Sequence, residues 1–217
     1  PTETWHAFWD LATQGTLFPE LGRTLGQALI GVAIAFVVGA IWGALAGRFR
    51  WFANFTQPLL STLMALPPVI LVVLGIVWFG PSGAVTRLVV ALVALPLIVI
   101  AVTEAVRDID ADLLEMARSF ELSRWKMIRH VVAPGVASPV LAATSVTVGQ
   151  ALRVAVMAEL LSAATGVGGQ VRLAQTNLDT ASLFAWAITL VVVVMLLETL
   201  LVGPVTARLL RWRNAAG

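Results

Sequence analysis

Few residues of this chain could do chemistry, and their types and spacing limit what that chemistry is. Asp108, Asp110 and Asp112 alternate, and alternating carboxylates can gather a hard cation such as Mg²⁺, as an intramembrane metal-dependent enzyme would require. Against that reading, the next acidic residue, Glu115, already falls in a helical pattern, no histidine or serine pair stands nearby, and Asp-x-Asp-x-Asp commonly just opens a helix. Arg153, Glu159 and Glu198 lie inside apolar stretches, where an ionisable group costs about 2.5–3.5 kcal/mol at mid-membrane and is a functional candidate for that reason. The plainer role is pairing: Glu159 with Arg87 or Arg153 across a helix contact, and Glu198 with water near the cytoplasmic side. No site for ATP hydrolysis is expected in this chain. A phosphate-cradling loop needs G-x-x-x-x-G-K followed by Ser or Thr, and the one lysine, Lys126, stands in Trp-Lys-Met without neighbouring glycines. With no cysteine there is neither a disulfide nor a thiolate metal site.

The elements that must hold these residues are membrane helices. With 59% apolar and 12% charged residues among 217, and a mean hydropathy of +0.92, the chain needs a bilayer to bury its surface. Five stretches, at residues 24–47, 58–80, 84–103, 134–160 and 182–207, match the roughly 20 apolar residues that cross a hydrocarbon core. The expectation is one all-α, polytopic domain over residues 1–217.

Arg48 and Arg50, the basic residues between 107 and 129, and Arg208, Arg211 and Arg213 follow the first, third and fifth stretches. The positive-inside rule makes those ends cytoplasmic and puts residues 1–20, 80–83 and 161–181 outside. Basic residues beside apolar segments, with no stripe, argue against a nucleic-acid surface. Trp5, Phe8 and Trp9 share a helical face, predicting a short external interfacial helix against lipid.

Other residues predict how the spans pack. Gly39, Gly43 and Gly47 line one face of the first span for close helix approach. Pro67, Pro68 and Pro96 bend or break the second and third. Gly166, Gly168 and Gly169 break the chain after the fourth span, where a tight turn could serve as an external gate or docking loop or as a plain connection.

One segment stands out from this apolar background. Residues 104–130 hold 11 of the chain's 14 basic and 12 acidic residues. Leu113, Leu114, Ala117 and Phe120 recur at helical spacing with Asp112, Glu115 and Arg118 on the other side, an amphipathic helix. Ser123 is the expected N-cap of a second short helix carrying Trp125 and Ile128, and Pro134 marks its entry into the fourth span.

The run Glu115-Met116-Ala117-Arg118, Ser123-Arg124-Trp125-Lys126, Ile128 and Val131-Val132-Ala133-Pro134 resembles the EAA loop of the permease subunits of ATP-binding-cassette importers. Met116 replaces the family's middle alanine, Glu121 its glycine, and Ala133-Pro134 its Leu-Pro pair. Ala158-Glu159-Leu160-Leu161, Thr165-Gly166-Val167-Gly168-Gly169, Asn177-Leu178-Asp179-Thr180 and the terminal Leu210-Arg211-Trp212-Arg213 are similar to the nitrate, sulfonate and taurine branch of the binding-protein-dependent, type I permeases. That branch carries one further helix before the point where this sequence begins.

The resemblance implies a multi-pass subunit in a bacterial inner membrane. Its partners would be a second permease subunit, expected as a homodimer, two cytoplasmic ATPases that bind the ATP and Mg²⁺, and an extracytoplasmic binding protein. No cofactor is implied in the chain itself. Glu115, Met116, Ala117, Arg118, Phe120, Glu121, Leu122 and Ser123 would form the coupling helix seated in the ATPase. Met64, Thr147, Gln150 and Arg153 are the candidate translocation path. Relatives carry an apolar residue at the position of Arg153 after a tryptophan, where this chain has Leu152; a fixed cation there favours an anionic solute such as a sulfonate, taurine, nitrate or a carboxylate.

Overall fold

Inside a bilayer every backbone polar group must find its partner within the protein, which leaves helices or closed barrels. The computed structural model describes residues 2–120, 123–162, 165–197 and 199, and among them there is no strand. The helices are α1 (Thr2–Thr13), α2 (Leu17–Arg48), α3 (Arg50–Ala65), α4 (Pro68–Phe79), α5 (Gly83–Arg107), α6 (Ala111–Ser119), α7 (Arg124–Met127), α8 (Ala133–Ser162), α9 (Gly166–Thr176) and α10 (Thr180–Leu197). A π-helical segment, Ile128–Val132, joins α7 to α8. Four helices are long and apolar enough to cross a membrane, and the bent pair α3–α4 makes a fifth span if it is taken as one.

The centre of the fold is the contact between α2 and α5. Gly31, Gly39, Gly43 and Gly47 sit against Val90, Ile98, Val102 and Val106, so that a Cβ on Gly43 would stand 2.7 Å from the Val99 carbonyl oxygen. Each contact steps the same distance and in the same direction along both helices, which makes them parallel neighbours in a fixed register. Small residues at four-residue spacing allow this approach, as the sequence predicts for three of the four. Where α2 ends, Arg107 donates to the Ala46 carbonyl at 3.2 Å, satisfying an acceptor that the end of the helix leaves open. The most apolar stretch of α5 is 61% buried, against 33% for α2, 22% for α10 and 11% for the helix from Trp125 to Ser162. α5 is therefore the hub.

Parallel pairing of α2 and α5 requires the chain between them to cross back, and α3 and α4 do so with a 96° bend. Leu66 and Pro67 are extended (ψ 124° and 133°) because a residue before proline avoids the helical region, and Pro68 then opens α4 at a position where its missing N–H costs nothing. Pro96 does not break its helix: it is buried inside α5, which is continuous from Gly83 to Arg107. α2 starts at Leu17, so the separate N-terminal segment is the shorter α1. Its Trp5 and Trp9 are 60% and 51% exposed, with ring centroids 5.9 Å apart. Asp179 caps α10 by accepting the Ser182 N–H at 3.0 Å, and hydrogen bonding from Ser182 holds its carboxyl below the ordinary range.

Gly43→Ala is expected to lower the midpoint of thermal unfolding in detergent, by the roughly 1–3 kcal/mol of an overpacked contact. Gly26→Ala, whose added Cβ meets nothing within 4 Å, is expected to leave the midpoint unchanged or raise it slightly.

Candidate functional site

α6 presents a mixed face. Leu113, Met116 and Phe120 are 47%, 51% and 73% exposed, whereas Ala117 is 2% exposed and packs inward. Glu115 is exposed on the same helix, and Arg118 belongs to its backbone. Glu121 and Leu122 lie outside the described residues, as do Glu198 and everything from Leu200 onward. The Ser123 hydroxyl accepts the Lys126 N–H at 3.4 Å, the N-cap of α7 that the sequence predicts. Trp125 just inside it is 70% exposed.

The aspartates do not form the metal site considered from the sequence. Asp110 uses its carboxylate to accept the Asp112 N–H at 2.9 Å, and Asp108 is the C-cap of α5. Among the described residues no three His, Cys, Asp or Glu side chains gather to hold a metal ion. The local reason is that alternating carboxylates across a helix start are drawn to the open N–H groups of the first turn. The metal-dependent enzyme therefore loses its support.

The four expected path residues fall in different places. Gln150 and Arg153 are both exposed on α8. Thr147, one turn earlier, is 2% exposed and donates to the Ala143 carbonyl at 2.8 Å, so it does not share that face. Met64 is 55% exposed at the end of α3 and lines a separate cavity of about 330 Å³ between α2, α3 and α5. Asn54, Gln57 and Ser61 line the same cavity with Thr103, Glu104 and Arg107. This polar stripe was missed from the sequence, although its spacing of three and then four residues in an otherwise apolar stretch was a readable signal.

Gly166, Gly168 and Gly169 form the buried first turn of α9 rather than an open loop. That turn is capped from other helices, since Thr165 makes no side-chain cap bond. The Gly166 N–H donates to Glu20 Oε2, the Val167 N–H to Thr24 Oγ1 at 2.8 Å, and the Gly168 N–H to Glu159 Oε2 at 3.1 Å. Thr24 in turn donates to Glu159 Oε2 at 2.8 Å, and Arg23 pairs with Glu20 at 2.6 Å.

Three of the four open donors of a helix start are thus met by α2 and α8, and the carboxylates sit where the helix dipole favours them. Gly166 has φ +85°, and a Cβ on Gly168 would collide with the Val156 carbonyl oxygen of α8, so neither position tolerates a side chain. For Glu159, which is fully buried, a hydroxyl and a backbone amide replace the arginine partner considered from the sequence.

A model of the family described as binding-protein-dependent transport system inner membrane component matches residues 35–211. The chain belongs to this family. It is 33% identical over 207 residues to the riboflavin transport system permease protein of Chloroflexus aurantiacus, covering 94% of this chain and 76% of that one. It is 32% identical over 216 residues to the putative aliphatic sulfonates transport permease protein of Escherichia coli K12, covering 96% and 79%. The fold is similar to that of the MetNI methionine ABC transporter in an inward-facing conformation, with a TM-score of 0.72 at 18% identity, over 90% of this chain and 97% of that one. The protein is accordingly a multi-pass inner-membrane permease subunit of an ABC importer for a small solute, with the type I importer fold.

Thr24→Val removes the acceptor for the Val167 amide and is expected to accelerate hydrogen exchange of the Gly166–Gly168 amides, at the roughly 1–3 kcal/mol of an unsatisfied buried donor. Thr24→Ser, which keeps the hydroxyl, is expected to restore the protection.

Proposed function

We propose that this permease carries a small solute with an anionic group, of the sulfonate, taurine, nitrate or carboxylate kind, delivered by an extracytoplasmic binding protein. The observation that carries this reading is the exposed placement of Gln150 and Arg153 on α8, a helix long and apolar enough to cross a membrane. A guanidinium and an amide on a membrane helix are stable facing water or protein and costly facing lipid. Two copies meeting through this region of α8 would enclose a path with a fixed cation on each side, and Arg153 can hold a sulfonate or carboxylate through two parallel hydrogen bonds. Thr147 supports this face from within the helix, and Met64, at the end of α3 away from Arg50, belongs to the route deeper in the membrane.

The chain supplies no ATPase site of its own in this reading, so the ATP and Mg²⁺ belong to partner subunits. Met116 and Phe120 are the anchors of the coupling helix, since large apolar side chains left exposed on a cytoplasmic helix fit a helix-in-groove contact. Glu115 and Arg118 flank them, Glu121 and Leu122 continue the segment, and Ser123 sets the turn into α7. Ala117 contributes by packing α6 onto its own subunit. Outside, Gly166, Gly168 and Gly169 serve the gate by fixing α9, whose exposed Arg172 and Leu173 face the side where the binding protein docks.

Phe120→Asp is expected to abolish co-purification of the ATPase subunit while leaving the permease folded in the membrane. Arg153→Ala is expected to cut sulfonate uptake by about tenfold or more, the scale of losing one charge-assisted contact, with assembly retained and partial rescue by Arg153→Lys. Unchanged uptake of every anionic solute by the alanine variant would remove Arg153 from the path.

A further inference from the structure

The cavity between α2, α3 and α5 has no assigned role. Asn54, Gln57 and Ser61 are exposed along one side of α3. Ser61 stands eleven residues beyond Arg50, the first residue of α3, or about 16 Å up the helix at its rise per residue. A polar stripe reaching that far from the cytoplasmic boundary is unfavourable against lipid and needs water or a ligand. Among the described residues none of these three side chains makes a hydrogen bond, so their donors and acceptors remain available.

The opposite wall carries both signs of charge. Glu104 and Arg107 occupy adjacent turns of α5, which brings their Cβ atoms within about 5–6 Å. They are not spent on each other: the ion pair among the described residues is Arg23–Glu20. Arg107 gives one hydrogen bond to Ala46 and keeps the rest of its five-donor fork. The cavity volume of about 330 Å³ is at the small end of the 300–1,000 Å³ typical of ligand sites. None of its lining residues is aromatic, so it offers no stacking surface for a flat ring system such as a flavin.

We infer that this cavity binds a small zwitterion, an ammonium and an oxyanion a few atoms apart, with Glu104 on the ammonium, Arg107 on the oxyanion and the α3 stripe on the remaining polar atoms. This rests on the permease reading and places a second solute site at the cytoplasmic end of the route, apart from Arg153. A free solute such as taurine and the headgroup of phosphatidylethanolamine share this chemistry.

The test uses the assembled importer, permease with its ATPase, in nanodiscs of phosphatidylglycerol, and measures binding of taurine and of isethionate, which lacks the ammonium. The wild type is expected to bind taurine in the millimolar range or tighter. Glu104→Gln is expected to weaken taurine binding about tenfold, as loss of one charge-assisted bond would, and to leave isethionate unchanged. Gln57→Leu is expected to weaken both. Absence of taurine binding to the wild type, or equal effects of Glu104→Gln on the two ligands, overturns the site.

Competition by added phosphatidylethanolamine in the wild type but not in Glu104→Gln identifies the headgroup as an occupant of the same site, and no competition assigns the site to the free solute. If Arg153→Ala abolishes uptake while Glu104→Gln leaves taurine binding unaltered, the path stands and the cavity site falls. The reverse pattern keeps the site and removes the path.

Discussion

The close, parallel approach of α2 and α5 is the constraint on which the rest of the structure depends. Four glycines let the α2 backbone rest on valine and isoleucine side chains of α5, and such contact is what holds helices together where lipid supplies no hydrophobic drive. Once the two helices are parallel and in register, the intervening chain has to return across the bilayer. It does so through Pro67 and Pro68, which break the return into α3 and α4 at 96°. α8 then packs against both partners, through Ala151, Leu152 and Ala155 with Ala28, Val32 and Val90. This leaves the polar side of α8, with Gln150 and Arg153, turned away from the hub.

Polar groups in this apolar chain are sorted by that packing into three settings. Glu20, Thr24 and Glu159 are buried and spent on the first turn of α9, tying the outer helix to α2 and α8. Gln150 and Arg153 are exposed on α8, within a candidate membrane span. Asn54, Gln57 and Ser61 face Glu104 and Arg107 across a cavity near the cytoplasmic boundary. Burial separates fastening from function here. A carboxylate that meets two donors inside the protein is holding helices together.

The charged segment between α5 and α8 follows the same division within one short helix. Ala117 turns inward and fixes α6 to its own subunit, while Met116 and Phe120 turn outward. A helix that is apolar on its inner face and also carries large apolar groups outside has more apolar surface than one subunit can cover. The Ser123 cap and the π segment join this helix directly to α8.

Composition and hydropathy alone determined that the chain is helical and membrane-spanning, because no other backbone arrangement of these residues survives in lipid without a closed barrel. Local spacing determined the glycine face of α2, the break at Pro67 and Pro68, the cap at Ser123 and the amphipathic character of α6, since each depends on neighbours a few residues away. The sequence did not reveal that Gly166–Thr176 is a helix capped by Glu20, Thr24 and Glu159, or that Pro96 lies within an unbroken helix. Nor did it reveal that Thr147 is hidden while Gln150 is exposed, or that α3 and α5 enclose a doubly charged cavity. Those facts depend on which helices become neighbours and in what register. That register is set by contacts between residues tens of positions apart, which leave no periodic mark along the chain.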